Sequence, residues 1–196
     1  MPRPPRIHYP GAVYHVMARG VEKRNIYVDD RDRRRFLVVL QRAVKQADAS
    51  LLAYCLMGNH FHLAVKVGQP PLHSIMHRLL TAYAGAFNHR HERSGHLFES
   101  RYRAIVCAND AYLACLVRYI HLNPVRSKIV ADPTDWPWSS FRAYRASGKD
   151  GLVTVDRDLP NLHIEADPLF NPWPQPGAPA TAGVLLRTAD QRRQPI

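Results

Sequence analysis

Residues 51–67 read LLAYCLMGNHFHLAVKV, two apolar runs at 51–57 and 61–67 on either side of Gly58-Asn59. A Gly-Asn pair between such runs signals a tight β-hairpin. In the returning strand, opened by His60, the period of two puts His60 and His62 on one face while Phe61, Leu63 and Val65 turn to the core. Working outward, GAVYHVMARG (11–20) alternates between two glycines as a half-buried strand does. Asp29 and Asp30 then precede a segment in which Phe36, Leu40, Ala43, Val44 and Ala47 recur at spacings of three and four, an amphipathic helix with an acidic start.

Beyond the hairpin, Pro70 and Pro71 close the strand, and Leu72, Ile75, Met76, Leu79, Tyr83 and Phe87 form one helical stripe. Gly95 breaks the pattern, RYRAIVC (101–107) reads as a fourth strand, and Asn109 or Asp110 caps a third helix with stripe Leu113, Leu116, Val117 and Ile120. Asn123, directly before Pro124, is expected to mark that helix's end or a kink. The order strand, helix, strand, strand, helix, strand, with one helix appended, predicts an α+β protein of ferredoxin-like, split β-α-β design: an antiparallel sheet with two helices on one face. The catalytic-size unit is expected at 1–150. Seven of the 16 prolines fall in 151–196, which predicts an extended or partly disordered tail.

The 196 residues carry 27 Lys plus Arg against 16 Asp plus Glu, a formal charge of +11. The excess is localised: residues 1–150 hold 23 of these cations and 11 of the acids, a balance of +12, and 151–196 hold 4 and 5, a balance of −1. A basic folded unit points to a polyanion partner, because each phosphate neutralised releases condensed counterions. The Arg31, Arg33, Arg34, Arg35 cluster fits either a solvated helix face or backbone contact. No stretch reaches a membrane span, the N-terminus lacks a secretory core, and Cys55, Cys107 and Cys115 form no Cys-x-x-Cys pair, so a reducing, cytoplasmic location is expected.

Three groups of residues bear chemistry. His60 and His62 on one strand face make either a metal half-site or a pair of packed imidazoles. His89 and His91 have the same spacing at a helix end, where residues two apart diverge by about 200°, and are expected to be polar surface. On the third helix Tyr119 and Asn123 lie four apart, hence on one side, beside Arg118. If that side faces the His60 strand, an amide oxygen and a phenol join the imidazoles; otherwise Tyr119 packs in an interface and Asn123 caps its helix. Trp136 and Trp138 are expected to pack a loop on the core, with stacking on bases as the alternative, and His121 is ambiguous between surface, nucleic-acid contact and core.

The blocks YHVMARG (14–20), AYCLMGNHFHLAV (53–65), FNHRHERSGHLFESRYRAI (87–105), RYIHLNPVR (118–126) and WPWSSF (136–141) together resemble the single-tyrosine HUH transposases, specifically the REP-associated tyrosine transposase branch. The likeness runs from about residue 7 to 145. It implies that His60 and His62, flanking Phe61, are the HUH metal ligands, that Tyr119 is the nucleophile, and that Asn123, one turn later, is the third ligand. Some relatives have glutamine at that last position. Gly58-Asn59 stands where Pro-Asn is usual, and Ser127 where alanine is frequent; neither change removes a chemical group.

The resemblance further implies nicking and rejoining of single-stranded DNA beside hairpins, such as REP-like sequences or element ends, through a 5′-phosphotyrosine. Mg2+ is the expected ion, with Mn2+ also active because two imidazoles suit it. Arg101, Arg103, Arg118 and Arg126 are the expected DNA contacts, the monomer is the expected form with a dimer as the alternative, and the nucleoid the expected place of work. Tyr112, two turns before Tyr119, is the runner-up nucleophile. A non-catalytic binder of structured single strands is the competing reading. A two-histidine phosphoesterase is excluded, since no histidine is followed two residues later by Ser or Thr.

Overall fold

A computed structural model describes residues 8–145 and 151–155 of the chain. Its elements are β1 (Val13–Arg19), α1 (Asp30–Gln46), β2 (Ser50–Leu56), β3 (His60–Lys66), α2 (Leu72–Arg90), β4 (Arg103–Val106), α3 (Asp110–Arg126) and a short α4 (Phe141–Arg145). The strands form one antiparallel sheet in the order β2-β3-β1-β4. This is the expected ferredoxin-like arrangement with its added helix.

Local chemistry accounts for the boundaries. The Asp29 carboxylate accepts from the Asp32 amide and caps α1, while the Asn109 side chain accepts from the Tyr112 amide at 2.8 Å and caps α3. The hairpin between β2 and β3 closes through the Met57 amide donating to the His60 carbonyl at 2.9 Å. α3 does not stop at Asn123: it continues through Pro124 to Arg126. Proline takes one donor from the ladder but has a helical φ, and the turn is closed beyond it by the Ser127 amide donating to the Asn123 carbonyl at 2.9 Å.

The pleat sorts the sheet into two faces. Tyr14, Val16, Ala18, Phe61, Leu63 and Val65 pack with Phe36, Leu40, Ile75, Met76, Leu79 and Tyr83 of α1 and α2 in the larger core. Its aromatic centre is tight, with the Phe36 ring 4.9 Å from Phe61 and 5.0 Å from Tyr83. An irregularity between Leu51 and Ala53 shifts the β2 register, so that Leu52, Ala53, Cys55 and Met57 turn to the other face. There α3 lays Leu113, Leu116, Val117 and Ile120 on them and on Ala64.

The exposed edge of β2 is covered by the chain itself. The Leu56 amide donates to the Trp138 carbonyl at 2.8 Å, the Ser140 amide to the Tyr54 carbonyl at 3.0 Å, and the Thr154 amide to the Leu51 carbonyl at 2.8 Å. Trp136 donates from its indole to the Leu56 carbonyl at 3.1 Å, as expected of a packed loop. Residues 151–155 thus lie along the domain; the rest of the expected tail, 156–196, lies outside the described residues. Among the described residues no helix is long and apolar enough to cross a membrane.

Two expectations are refined. His121 belongs to the core: it is buried, its Nε2 lies 2.7 Å from the Ser140 hydroxyl, and its ring sits edge-on to Phe141 and Tyr144. His91 is not plain surface. It follows the end of α2 and turns back to the start of α1, where its Nε2 is 2.9 Å from buried Asp32. Arg90 joins both Asp32 and Asp29 at 2.5 Å, tying the two helix ends together. Burial pulls the Asp32 carboxyl up, yet the Val28 amide, Arg90 and His91 together outweigh it and hold it below the usual carboxylate range.

Candidate active site

The face of the sheet away from α1 and α2 collects the odd positions of β1 and the even positions of β3. In the β1–β3 register Met17 stands opposite His62 and Arg19 opposite His60, with His15 opposite Ala64. On the other side of β1, Arg103 stands opposite Met17 and so joins the same face. α3 covers the β2–β3 half, and the stripe that seats it on Ala53 and Ala64 also fixes the rotation that turns Tyr119 toward the histidines.

The distances make a cluster. The His60 and His62 rings lie 5.0 Å apart, nearly perpendicular. The Tyr119 ring lies edge-on to both His62, at 5.6 Å and 86°, and His15, at 5.9 Å and 72°. The His15 ring centre lies 5.2 Å from that of His62 with the planes 30° apart, and the two rings meet through His15 Nε2 and His62 Nδ1 at 3.0 Å. Asn123 follows one turn after Tyr119, is buried, and donates from Nδ2 to the Tyr119 carbonyl at 3.2 Å, which leaves its amide oxygen outside that bond. The Arg126 guanidinium lies 5.1 Å from the Tyr119 ring centre. Tyr119 itself is half-buried.

Burial keeps these imidazoles neutral. It lowers the His15 pKa to about 3; burial and then the Arg19 charge lower His60 to about 4; burial followed by His15, His60 and Arg19 holds His62 well below the ordinary value. A neutral imidazole has one lone pair to offer, which is the form a metal ion needs. Among the described residues no three His, Cys, Asp or Glu side chains converge as an ion cage. With His15 Nε2 3.0 Å from His62 Nδ1, the imidazoles left to bind an ion on this face are those of His60 and His62, joined one element away by the Asn123 amide oxygen, a mixed nitrogen and oxygen set that suits Mg2+ or Mn2+ rather than a thiolate-seeking ion.

Of the other residues singled out, Arg103 and Arg126 face this cluster or its tyrosine, Arg101 is exposed just ahead of β4, and Arg118 is half-buried beside Tyr119 on α3. Tyr112 packs against the α3–sheet cluster, where burial pushes its phenol up to about 12, the wrong direction for a nucleophile. The arginine cluster of α1 splits: Arg33 turns in over Tyr27, Trp136 and Trp138 at 5.5–5.8 Å, whereas Arg31, Arg34 and Arg35 line an open groove with His89. That groove lies between α1 and α2, across the sheet from Tyr119.

Sequence reasoning missed His15 and Arg19. Both stand in the YHVMARG block, and the alternation that sends Tyr14, Val16 and Ala18 inward already sends them to the opposite face. Their proximity to His60 and His62 depends on β1 pairing with β3, which no local pattern states.

Comparison with known proteins bears on the fold and the family. A structure of a REP-associated tyrosine transposase bound to a REP hairpin superposes with a TM-score of 0.62 at 19% identity, over 80% of this chain and 90% of that one, and so shares the fold. A Deinococcus radiodurans R1 protein described as a transposase gives a TM-score of 0.41 at 16% identity over 58% of this chain and 91% of its own. The Saccharomyces cerevisiae tRNA(His) guanylyltransferase gives 0.37 at 10% identity over 66% and 71%. A comparison with curated proteins finds no match. The profile of the family described as "Transposase IS200 like" matches residues 9–123, more than half of the chain and the whole sheet together with Tyr119 and Asn123. The chain belongs to the IS200-like transposase family.

Proposed function

We propose that this transposase cuts and rejoins single-stranded DNA beside hairpins, with Tyr119 as nucleophile and His60, His62 and Asn123 as ligands of a divalent ion, Mg2+ or Mn2+. The observation that carries the reading is the seating of the Tyr119 ring edge-on to His62 at 5.6 Å, on a sheet face lined with neutral imidazoles and arginines. The REP hairpin held by the structural relative supports hairpin DNA as the partner. The balance of +12 over residues 1–150 supports a phosphate backbone as what this surface meets.

A phenol with an ordinary pKa of about 10 is a weak nucleophile at neutral pH. A divalent ion on this donor set favours the phenolate and neutralises charge that builds on the phosphoryl oxygens. Tyr119 gives up its proton to solvent, and its oxygen attacks phosphorus. As the tyrosyl–phosphate bond forms, the bond from phosphorus to the 3′ oxygen breaks, and that oxygen leaves as a hydroxyl after taking a proton from solvent. The 5′ end stays on Tyr119 as a phosphodiester, so the same exchange run backward by a 3′ hydroxyl rejoins DNA without an external energy source. Arg126, over the Tyr119 ring, stabilises the anionic oxygen, and Arg19, beside His60, meets the phosphate. Arg103 and Arg118 extend the positive surface on either side, and Arg101 continues it toward solvent.

The test is a covalent-adduct assay with labelled single strands carrying hairpins, in Mg2+ or Mn2+, on a denaturing gel. Wild type yields a protein–DNA adduct and Tyr119→Phe yields none. An adduct that persists in Tyr119→Phe moves the nucleophile elsewhere, with Tyr112 first in line; tight, salt-sensitive binding without any adduct marks a non-catalytic binder.

A further inference from the structure

An imidazole that binds an ion through Nε2 must have Nε2 unprotonated. In the neutral ring the single proton is then on Nδ1, and a buried Nδ1–H needs an acceptor. Both histidines of the cluster have one. His62 Nδ1 lies 3.0 Å from Nε2 of His15, and His60 Nδ1 lies 2.6 Å from Oδ1 of Asn59.

The direction of the second bond is settled by a third group. Asn59 Nδ2 donates to the Lys23 backbone carbonyl at 2.9 Å. A carbonyl only accepts, so the amide nitrogen must face it and the amide oxygen must face His60; His60 is therefore the donor, through Nδ1–H. Asn59 is itself anchored, because its carbonyl accepts the Gly20 amide at 2.8 Å at the end of β1. The bond between His15 and His62 joins two neutral rings and runs either way until something selects one. With His15 as donor, His62 would carry its proton on Nε2 and could not bind an ion. With His62 as donor, its Nε2 lone pair is released into the site and the His15 proton sits on Nδ1, a buried atom without a hydrogen-bond acceptor, so it is ion binding at His62 that selects this direction.

We propose that His15 and Asn59 are positioning residues, accepting Nδ1–H from His62 and His60 so that both Nε2 lone pairs face the same ion. The inference rests on the metal reading above and goes beyond it, since neither residue touches the ion or the DNA. His15 is suited to this: it is fully buried, held by the β1–β3 pairing, and meets the ring it orients nitrogen to nitrogen with the two planes 30° apart, while the Tyr119 ring stands at 72° to it. Its Nε2 is committed to His62, which makes it a support and not a third imidazole ligand. Outer partners of this kind set the tautomer and ring angle of ligating histidines, and their loss costs roughly 10- to 100-fold in metal affinity.

The experiment is a Mn2+ titration of the full chain without DNA, followed by the loss of the free-ion electron paramagnetic resonance signal. It compares wild type, His15→Phe, His15→Gln, Asn59→Ala and His62→Ala, with thermal midpoints in EDTA as the folding control. His15→Phe keeps a ring and removes the acceptor, and Asn59→Ala removes the other; each weakens Mn2+ by about 10- to 100-fold. His15→Gln returns an acceptor oxygen and recovers most of the affinity. Equal affinity in wild type and the folded His15→Phe overturns the positioning role and leaves the metal reading standing. Wild type binding no better than His62→Ala overturns both. Should the His15 variants fail to fold, imidazole nitrogen-15 spectra of wild type in saturating Mg2+ decide alone: Nδ1–H on His60 and His62 is the expected result, and Nε2–H on either refutes the proposal.

Discussion

Replacing Gly20 with alanine tests how closely the end of β1 is packed against the loop that supports Asn59. Gly20 has φ −65° and ψ 146°, an extended backbone that any residue adopts, so the cost is steric. A Cβ built there falls 2.1 Å from the Arg24 carbonyl oxygen and 2.9 Å from Ile26 Cγ2. Ordinary contact begins at 3.4 Å, so the carbonyl must withdraw by about 1.3 Å. It has little freedom to do so. The Lys23 and Arg24 amides are bonded to Gly20 and Val21, the Ile26 amide donates to Gly58 at 3.1 Å, and the Ile26 side chain is fully buried. Overpacking of this kind costs about 2–3 kcal/mol, or roughly 5–10 °C in Tm for a chain this long.

Gly85 supplies the control. It is exposed within α2, and its added Cβ meets nothing within 4 Å. Gly85→Ala should stabilise by about 0.5–1 kcal/mol through helix propensity and lost unfolded-state entropy. Urea and thermal unfolding of the two variants beside wild type should therefore move in opposite directions. A Gly20→Ala midpoint equal to wild type, or one that rises with Gly85→Ala, would refute the steric argument.

Asp32→Asn should lose about 2–3 kcal/mol at neutral pH, since it strips a buried carboxylate from Arg90 and His91 while Arg90 keeps Asp29. The folded Asp32 pKa is depressed, so its contribution is full above the unfolded value of about 4 and disappears as pH falls through the folded one; the gap between wild type and variant in urea midpoints should narrow below about pH 4. Tyr83→Phe removes the phenol that donates to the Ile26 carbonyl at 2.5 Å in the core and should cost about 1–2 kcal/mol in the same assay. Arg103→Ala and Arg126→Ala should each weaken binding to single-stranded hairpin DNA and reduce the slope of log affinity against log salt by about 0.7, measured by fluorescence anisotropy; an unchanged slope removes that arginine from the phosphate contacts.

Much of this protein is local and therefore readable along the chain. Each of the three long helices is declared by apolar residues at spacings of three and four, and Asp29 and Asn109 cap α1 and α3 as their side chains and positions predict. The hairpin turn declares β2 and β3, and the period of two puts His60 and His62 together with no further information. Tyr119 and Asn123 share a helix side for the same kind of reason. What local pattern leaves open is which surfaces meet. The antiparallel pairing of β1 with β3 brings His15 and Arg19 to the histidines, and the seating of α3 on Ala53, Cys55 and Ala64 turns Tyr119 onto His62 rather than to solvent. The end of α2 returning to the start of α1 draws His91 out of an expected polar surface and onto Asp32. Periodicity is a property of neighbours within a few residues, whereas strand order and helix seating are chosen by the burial of whole faces, a free energy summed over residues far apart in the chain; for that reason the sequence by itself determined the elements and the candidate groups, and only the tertiary structure decided which of those groups form one site.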